Sequence, residues 1–129
     1  MSHLPNIVHL QSIDVEENGR LKTKEIGADN KPVLCMIYAS YCGFCTKAAP
    51  AFQEVHNLNR QKKVFLCAIQ TDDKDVSVQK LMKYFPQILK NNGVQFNGVP
   101  TYVLYKNGKW SEYKGGRDKS ALQSFINSL

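Results

Sequence analysis

The chain has 129 residues, of which 43% are hydrophobic and 22% charged, and its formal net charge is +6. This length can bury a core without disulfides or a metal, so the sequence predicts one domain over residues 1–129 and excludes a disordered or fibrous chain. Basic residues are spread along the chain, most densely at Arg60 to Lys63, without interleaved aromatic residues, so no nucleic-acid partner is expected.

The first 30 residues contain one short apolar run and one ambiguous segment. Ile7 to Leu10 is apolar and β-branched, which is typical of an edge strand. Ser12 to Glu17 can open a short helix with its serine as the cap. Equally, Asn18-Gly19 can turn a hairpin between Val15 and Leu21, and the sequence leaves both alternatives open.

The next part of the sequence predicts a strand followed by a helix. Residues Val33 to Ala39 are continuously apolar rather than alternating, which is typical of a central strand buried on both faces of a parallel sheet. From Cys42 to about Asn59 apolar residues recur at helical spacing, so Cys42 stands where a helix begins. Pro50 lies inside this helix and is expected to kink it.

A second strand and a second helix follow. Val64 to Ile69 repeats the pattern of a buried strand. Val76 to Lys90 predicts an amphipathic helix with Asp75 or Ser77 near its start, and an Asn-Asn-Gly sequence stops it. Because Pro86 interrupts the pattern, we expect a kink or two shorter helices.

The sequence ends with a predicted hairpin and helix. Thr101 to Tyr105 and Trp110 to Tyr113 flank Asn107-Gly108, which is the strongest short-range signal for an antiparallel hairpin. Asp118 can cap a last helix whose apolar residues share one face. The order β, uncertain segment, β, α, β, α, β, β, α predicts an α/β fold with a mixed sheet.

The four cysteines are the clearest candidates for residues that carry chemistry. Cys42 and Cys45 form a CxxC pair at the predicted helix start, whereas Cys35 and Cys67 are isolated in apolar strands. No second pair completes a four-ligand zinc site, so neither a metal nor a cofactor is predicted. Free cysteine in a buried strand behaves as a small hydrophobic residue, so we expect Cys35 and Cys67 to pack in the core, where they can be neighbours across the sheet.

An ordered set of motifs resembles the thioredoxin family. The set consists of Cys42-Gly-Phe-Cys45 between a buried strand and a helix, Pro50, Val99-Pro100-Thr101, Asn107-Gly108 and Gly115. CxxC alone is a weak signal, but the whole set is specific and runs from about residue 33 to the end. The resemblance implies the thioredoxin fold, in which a central mixed β-sheet is flanked by helices and a cis-proline loop at Pro100 lies opposite the CxxC of the kinked helix.

The resemblance also implies a thiol–disulfide oxidoreductase. A helix amino terminus stabilises a thiolate, which makes Cys42 the nucleophile and Cys45, one turn later, the resolving thiol. Expected partners are disulfide-containing protein substrates and a reductase or a small-thiol electron donor, with the protein itself a monomer. The residues expected to line the substrate groove are Tyr41, Gly43, Phe44, Val99 and Pro100.

Four positions depart from the family's usual pattern. Tyr41 stands where tryptophan is common, and Phe44 where proline or histidine is common. Since phenylalanine carries no positive charge, we expect a pair less oxidising than one with histidine there. Met36 and Ala68 replace a buried acid and a nearby lysine, so proton transfer from Cys45 must use another group or water.

Two other functions stay open on the sequence: a protein disulfide isomerase-like oxidase or isomerase, and a redox-inert binding module with the same fold. Residues 1–7 have neither a basic run nor an apolar stretch of signal-peptide length, and the last residues carry no retention tetrapeptide. This predicts an intracellular, cytoplasmic protein with no membrane segment, which weighs against the isomerase. Residues 73–98 exceed the corresponding segment of the shortest thioredoxins, and the sequence assigns them no contacts.

Overall fold

A computed structural model describes residues 4–59 and 63–129. Residues 60–62 of the predicted basic cluster lie outside the described residues, as do residues 1–3. Within the described ranges one sheet has five strands in the order β1-β3-β2-β4-β5. The strands are β1 Val8–His9, β2 Val33–Tyr38, β3 Phe65–Gln70, β4 Thr101–Lys106 and β5 Lys109–Tyr113.

The sheet is mixed, as predicted. Strand β3 pairs in parallel with both β1 and β2, whereas β4 runs antiparallel to β2 and β5. The predicted central strand, Val33–Tyr38, is in the middle, and the short strand Val8–His9 forms an edge. The predicted hairpin between β4 and β5 is confirmed, and its turn residues Asn107 and Gly108 have φ angles of 53° and 78°. These left-handed values explain why asparagine and glycine occur there.

Four helices cover the sheet in the described part of the chain. They are α1 Thr23–Ile26, α2 Gly43–Asn59, α3 Val76–Asn91 and α4 Lys119–Asn127. The predicted caps are present, because the side chain of Asp75 accepts from the Ser77 N–H and that of Asp118 accepts from the Ala121 N–H. The single turn α1 is an addition that the sequence analysis did not predict.

Helix α3 is continuous through Pro86, so the expectation of two shorter helices is wrong. A proline inside a helix costs roughly 3 kcal/mol, whereas burying one large apolar side chain contributes about 1.5–3 kcal/mol. Side chains on both sides of the proline are buried. They are Leu81 and Phe85 before it and Ile88 and Leu89 after it. Burial of both halves on the sheet therefore outweighs the missing N–H.

The ambiguous segment near the amino terminus forms the hairpin alternative. Val15 and Leu21 make an antiparallel bridge, and residues 12–17 contain no helix. Trp110 Nε1 donates to the carbonyl of Gly19 at 2.8 Å, and a Cβ at Gly19 would lie 3.0 Å from Ile88 Cγ2. Helix α3 and β5 thus hold this hairpin, which identifies contacts for the long segment 73–98.

The two faces of the sheet bury two separate clusters of side chains. The α3 layer contains α3, residues 10–28 and the strand side chains that face them, including Cys35 and Cys67. The α2/α4 layer contains side chains of α2 and α4, among them Cys45. It also contains the strand side chains that face these helices, including Met36 and Tyr102. Alternation of side chains along β2 separates Cys35 from Met36, which places the two pairs of cysteines on opposite sides of the sheet.

Candidate active site

The CxxC pair lies where the chain passes from β2 into α2. Cys42 immediately precedes the first helical residue, and its carbonyl accepts from the Thr46 N–H at 3.1 Å, as expected of an N-cap residue. The first N–H groups of a helix have no partner within the helix. One of them, the N–H of Cys45, donates to Cys42 Sγ at 3.1 Å. This is the arrangement by which a helix start stabilises a thiolate.

The two sulfurs differ in access to solvent. Cys42 is half-buried, whereas Cys45 is fully buried behind it. Burial, together with the hydrogen bond to Cys42, raises the pKa of Cys45 to about 12, although the backbone of Ala39 and the charge of Arg117 oppose this shift. At neutral pH Cys45 is therefore a thiol, and Cys42 is the more accessible of the two sulfurs.

The loop opposite Cys42 comes from a distant part of the sequence. The Val99–Pro100 peptide is cis, and the carbonyl of Val99 accepts from Cys42 Sγ at 3.6 Å. Thr101 Oγ1 donates to the carbonyl of Gly98 at 2.6 Å, which closes this loop at the start of β4. Pairing of β4 with β2 brings the loop to the CxxC pair.

Two exposed aromatic side chains are next in sequence to the two cysteines. Tyr41 is 78% exposed and Phe44 69% exposed, although both are large and apolar. A Cβ at Gly43 would meet no atom within 4 Å, so the surface between them is open. Large exposed apolar side chains close together on a surface are typical of a recognition surface. The structure thus places Cys42 in contact with both Cys45 and Val99. Tyr41, Gly43 and Phe44 are next to these cysteines in the chain, and Pro100 follows Val99 across the cis peptide.

Asp72, which follows β3, is a residue that the sequence analysis did not assign to the site. Its carboxylate accepts from the backbone N–H of Ser40 at 3.0 Å, from the Ser40 hydroxyl and from Gln70 Nε2 at 3.2 Å. Although partial burial opposes the shift, these hydrogen bonds lower the pKa of Asp72. The turn after β3 therefore holds the loop before Cys42. Polar residues directly after a buried strand were the available signal.

Apolar side chains occupy the two strand positions, in the same layer as Cys45, where members of the thioredoxin family often carry an acid and a lysine. Met36 and Ala68 are partners in the β2–β3 register and are both fully buried in the α2/α4 layer. A positive charge that lowers the pKa of Cys45 is that of Arg117, in the loop before α4. Neither Met36 nor Ala68 can take or supply a proton.

Metal and membrane features are not found in the part of the chain that the structure describes. In the ranges 4–59 and 63–129 no three His, Cys, Asp or Glu side chains cluster as metal ligands. None of the helices in these ranges combines the length and the apolar character needed to span a bilayer.

Known proteins resemble this chain over nearly its whole length. A family model described as thioredoxin matches residues 15–128. A protein of Invertebrate iridescent virus 6 described as thioredoxin-like, 453L, is 34% identical over 132 residues, which cover 93% of this chain and 91% of the relative. Protein disulfide-isomerase of Saccharomyces cerevisiae is 31% identical over 113 residues, which cover 84% of this chain but only 19% of that longer protein.

Solved structures show the same fold. The oxidized form of mitochondrial thioredoxin 3 from Saccharomyces cerevisiae matches with a TM-score of 0.62 and 22% sequence identity. The match covers 99% of this chain and 100% of the other. At this identity the likeness concerns the fold, and the chemistry has to be argued from the site.

Proposed function

The chain belongs to the thioredoxin family, and we propose that it is a thiol–disulfide oxidoreductase that reduces disulfides of protein substrates through Cys42 and Cys45. One observation carries the proposal: the half-buried Cys42 sulfur receives the Cys45 N–H at 3.1 Å, while the Cys45 sulfur is fully buried behind it. This asymmetry supports Cys42 as the attacking sulfur and Cys45 as the resolving one.

The reaction consists of two exchanges of sulfur bonds. The Cys42 thiolate attacks the substrate disulfide, and one substrate sulfur leaves as a thiolate and takes up a proton. Cys45 then loses its proton and attacks Cys42 Sγ, which forms the Cys42–Cys45 disulfide and releases the second substrate thiol. The substrate gains two electrons and the cysteine pair loses two, which a reductase or a small thiol returns.

Substrate binding would use the backbone of the cis-proline loop. Pro100 has no N–H, and Val99 lies within 3.6 Å of the attacking sulfur through its carbonyl. An extended substrate segment that pairs with the backbone of Val99 would thus place its own sulfur beside Cys42. Tyr41 and Phe44 would contact the side chains on either side of the substrate disulfide.

Insulin reduction in the presence of dithiothreitol tests the proposal. The protein should accelerate the reaction, and Cys45→Ser should trap mixed disulfides with substrate that are visible on a non-reducing gel. The double variant Cys42→Ser/Cys45→Ser, which also lacks the attacking sulfur, is the control for non-specific trapping. Normal turnover by Cys45→Ser would remove its resolving role. Absence of any insulin reduction, with slow alkylation of Cys42, would favour the redox-inert binding module.

Similarity to protein disulfide-isomerase favours a second candidate, an oxidase or isomerase. A redox titration of the cysteine pair separates the two candidates. The reduction potential of thioredoxin-type reductases is about −270 mV, and that of isomerases is about −180 mV. Because Phe44 carries no positive charge, we expect a value near the reducing end. A potential between about −180 and −120 mV, or efficient reactivation of scrambled ribonuclease, would favour the second candidate.

A further inference from the structure

One buried hydroxyl in the same layer as the resolving thiol has no hydrogen-bond partner. Tyr102 lies on β4 and is 3% exposed. Among the described residues its hydroxyl oxygen neither donates nor accepts a hydrogen bond. An unpaired hydroxyl in a core is destabilising, so its presence in a folded protein requires an explanation.

The side chain of Tyr102 shares one apolar region with Cys45. In the pairing of β2 with β4, Tyr102 lies opposite Met36, and both side chains point into the α2/α4 layer. The Tyr102 ring packs against Phe52, with centroids 5.8 Å apart, and against Tyr113, with centroids 6.0 Å apart. Phe52 follows Cys45 by two helical turns, which puts both on the same face of α2.

Few ionisable groups face this region. Burial is the main cause that raises the pKa of Tyr102; the charges of Cys45 and Tyr113 raise it further, and Arg117 lowers it. The Tyr102 hydroxyl therefore keeps its proton at neutral pH and is available as a donor. Besides burial, the groups that act on the ionisation of Cys45 are Cys42, the backbone of Ala39 and Arg117.

The resolving step requires an anion at the most buried sulfur of the site. Cys45 has to lose its proton before it attacks, yet Met36 and Ala68, which share its layer, carry no polar hydrogen. A hydrogen-bond donor that meets a developing anion in a buried site lowers the free energy of that anion. Among the described residues, Tyr102 carries a buried hydroxyl in this layer that no partner uses.

We propose that the Tyr102 hydroxyl donates a hydrogen bond, directly or through one water molecule, to the Cys45 sulfur as that sulfur becomes anionic during resolution. The inference rests on the proposed function. In this step the Cys45 S–H bond breaks and its proton goes to solvent, a Cys45–Cys42 bond forms, and the bond from Cys42 to the substrate sulfur breaks. The departing thiolate takes a proton from solvent. Tyr102 keeps its proton throughout, so no further reactant is needed.

Stopped-flow reaction of the reduced protein with equimolar 5,5′-dithiobis(2-nitrobenzoate) tests the proposal. Attack by Cys42 releases one thionitrobenzoate, and attack by Cys45 releases the second, so the two steps appear as two phases. Tyr102→Phe removes only the hydroxyl. It should leave the first phase unchanged and slow the second about tenfold at pH 7, as expected for loss of one hydrogen bond to a charged group. The pH profile of the second phase should move up by about one unit.

Tyr105→Phe is the matched control, because Tyr105 is a mostly buried tyrosine on the same strand that faces the α3 layer. Both of its phases should equal those of the unmodified protein. A Tyr102→Phe variant with an unchanged second phase and an equal or higher thermal midpoint would show that the hydroxyl has no part in resolution, and would overturn the inference alone. Absence of a first phase in the unmodified protein would instead overturn the proposed function, and the inference with it.

Discussion

The two faces of the sheet each hold a pair of cysteines, and the pairs have opposite environments. On the α2/α4 side Cys42 is half-buried and receives a helix N–H. On the α3 side Cys35 and Cys67 are partners in the β2–β3 register, and both are fully buried. Burial, and then contact with Cys35, raises the pKa of Cys67 well above its usual range. Two neighbouring thiols are therefore insufficient for reactivity; access and a stabilised anion are also required.

Alkylation with iodoacetamide at pH 7 should separate the two pairs by the largest factor. Cys42 should react in the folded protein, whereas Cys35 and Cys67 should react only when the α3 layer opens. Protection by the folded core predicts a difference of at least about 10³-fold in rate. Mass spectrometry of peptides after timed labelling measures it, with a sample unfolded in urea as the reference in which all four react. Similar alkylation rates for Cys67 and Cys42 would contradict this prediction.

Substitutions should separate function from stability. Cys42→Ser should lower insulin reduction by at least about 100-fold, because it removes the attacking sulfur, while changing the unfolding free energy by less than about 0.5 kcal/mol. Cys35→Ala should do the reverse. It removes a buried sulfur at a cost of about 1–2 kcal/mol and should keep activity within about twofold. Activity assays and urea unfolding of both variants check this, and a loss of activity in a folded Cys35→Ala protein would contradict it.

Alkaline pH should destabilise the reduced protein through the buried thiols. The folded-state pKa values of Cys45 and Cys67 are raised above the ordinary value of 9.0, so their contribution is present below pH 9 and is lost as the pH rises towards the folded values. Above pH 9 each such thiol lowers the unfolding free energy by about 1.4 kcal/mol per pH unit.

Urea unfolding with a reductant at pH 7, 9 and 10.5 measures this slope. Cys67→Ala should reduce the slope of the unfolding free energy against pH by the contribution of one thiol, about 1.4 kcal/mol per pH unit, because alanine does not ionise. An identical slope in the variant and the unmodified protein would show that Cys67 does not stay protonated in the folded state.

The smallest expected effect concerns the attachment of the active-site loop. Asp72→Asn removes the charge that accepts from Ser40 and Gln70, and should slow insulin reduction about two- to fivefold and lower the unfolding free energy by about 1 kcal/mol. Asp73→Asn, next in sequence, is the control, because the Asp73 carboxylate accepts from the Asp75 N–H. Equal rates for the two variants would remove Asp72 from the support of the loop.

Local signals in the sequence predicted most elements and the cysteine chemistry. The Asn107-Gly108 turn, the Asp118 cap and the helix start at Cys42 each depend on a few adjacent residues, and each occurs where the sequence places it. The continuity of α3 through Pro86 was not predictable in this way. It depends on burial against the sheet and the amino-terminal hairpin, which are distant in sequence.

What the sequence by itself determined is therefore the fold class, the CxxC at a helix start and the apolar character of Cys35 and Cys67. Only the tertiary structure decided which residues meet Cys45, because strand register selects them. Tyr102 reaches the α2/α4 layer since it pairs with Met36, and a shift of one residue would turn its hydroxyl to the other face. Register arises from contacts across the whole sheet, and no short stretch of sequence contains it.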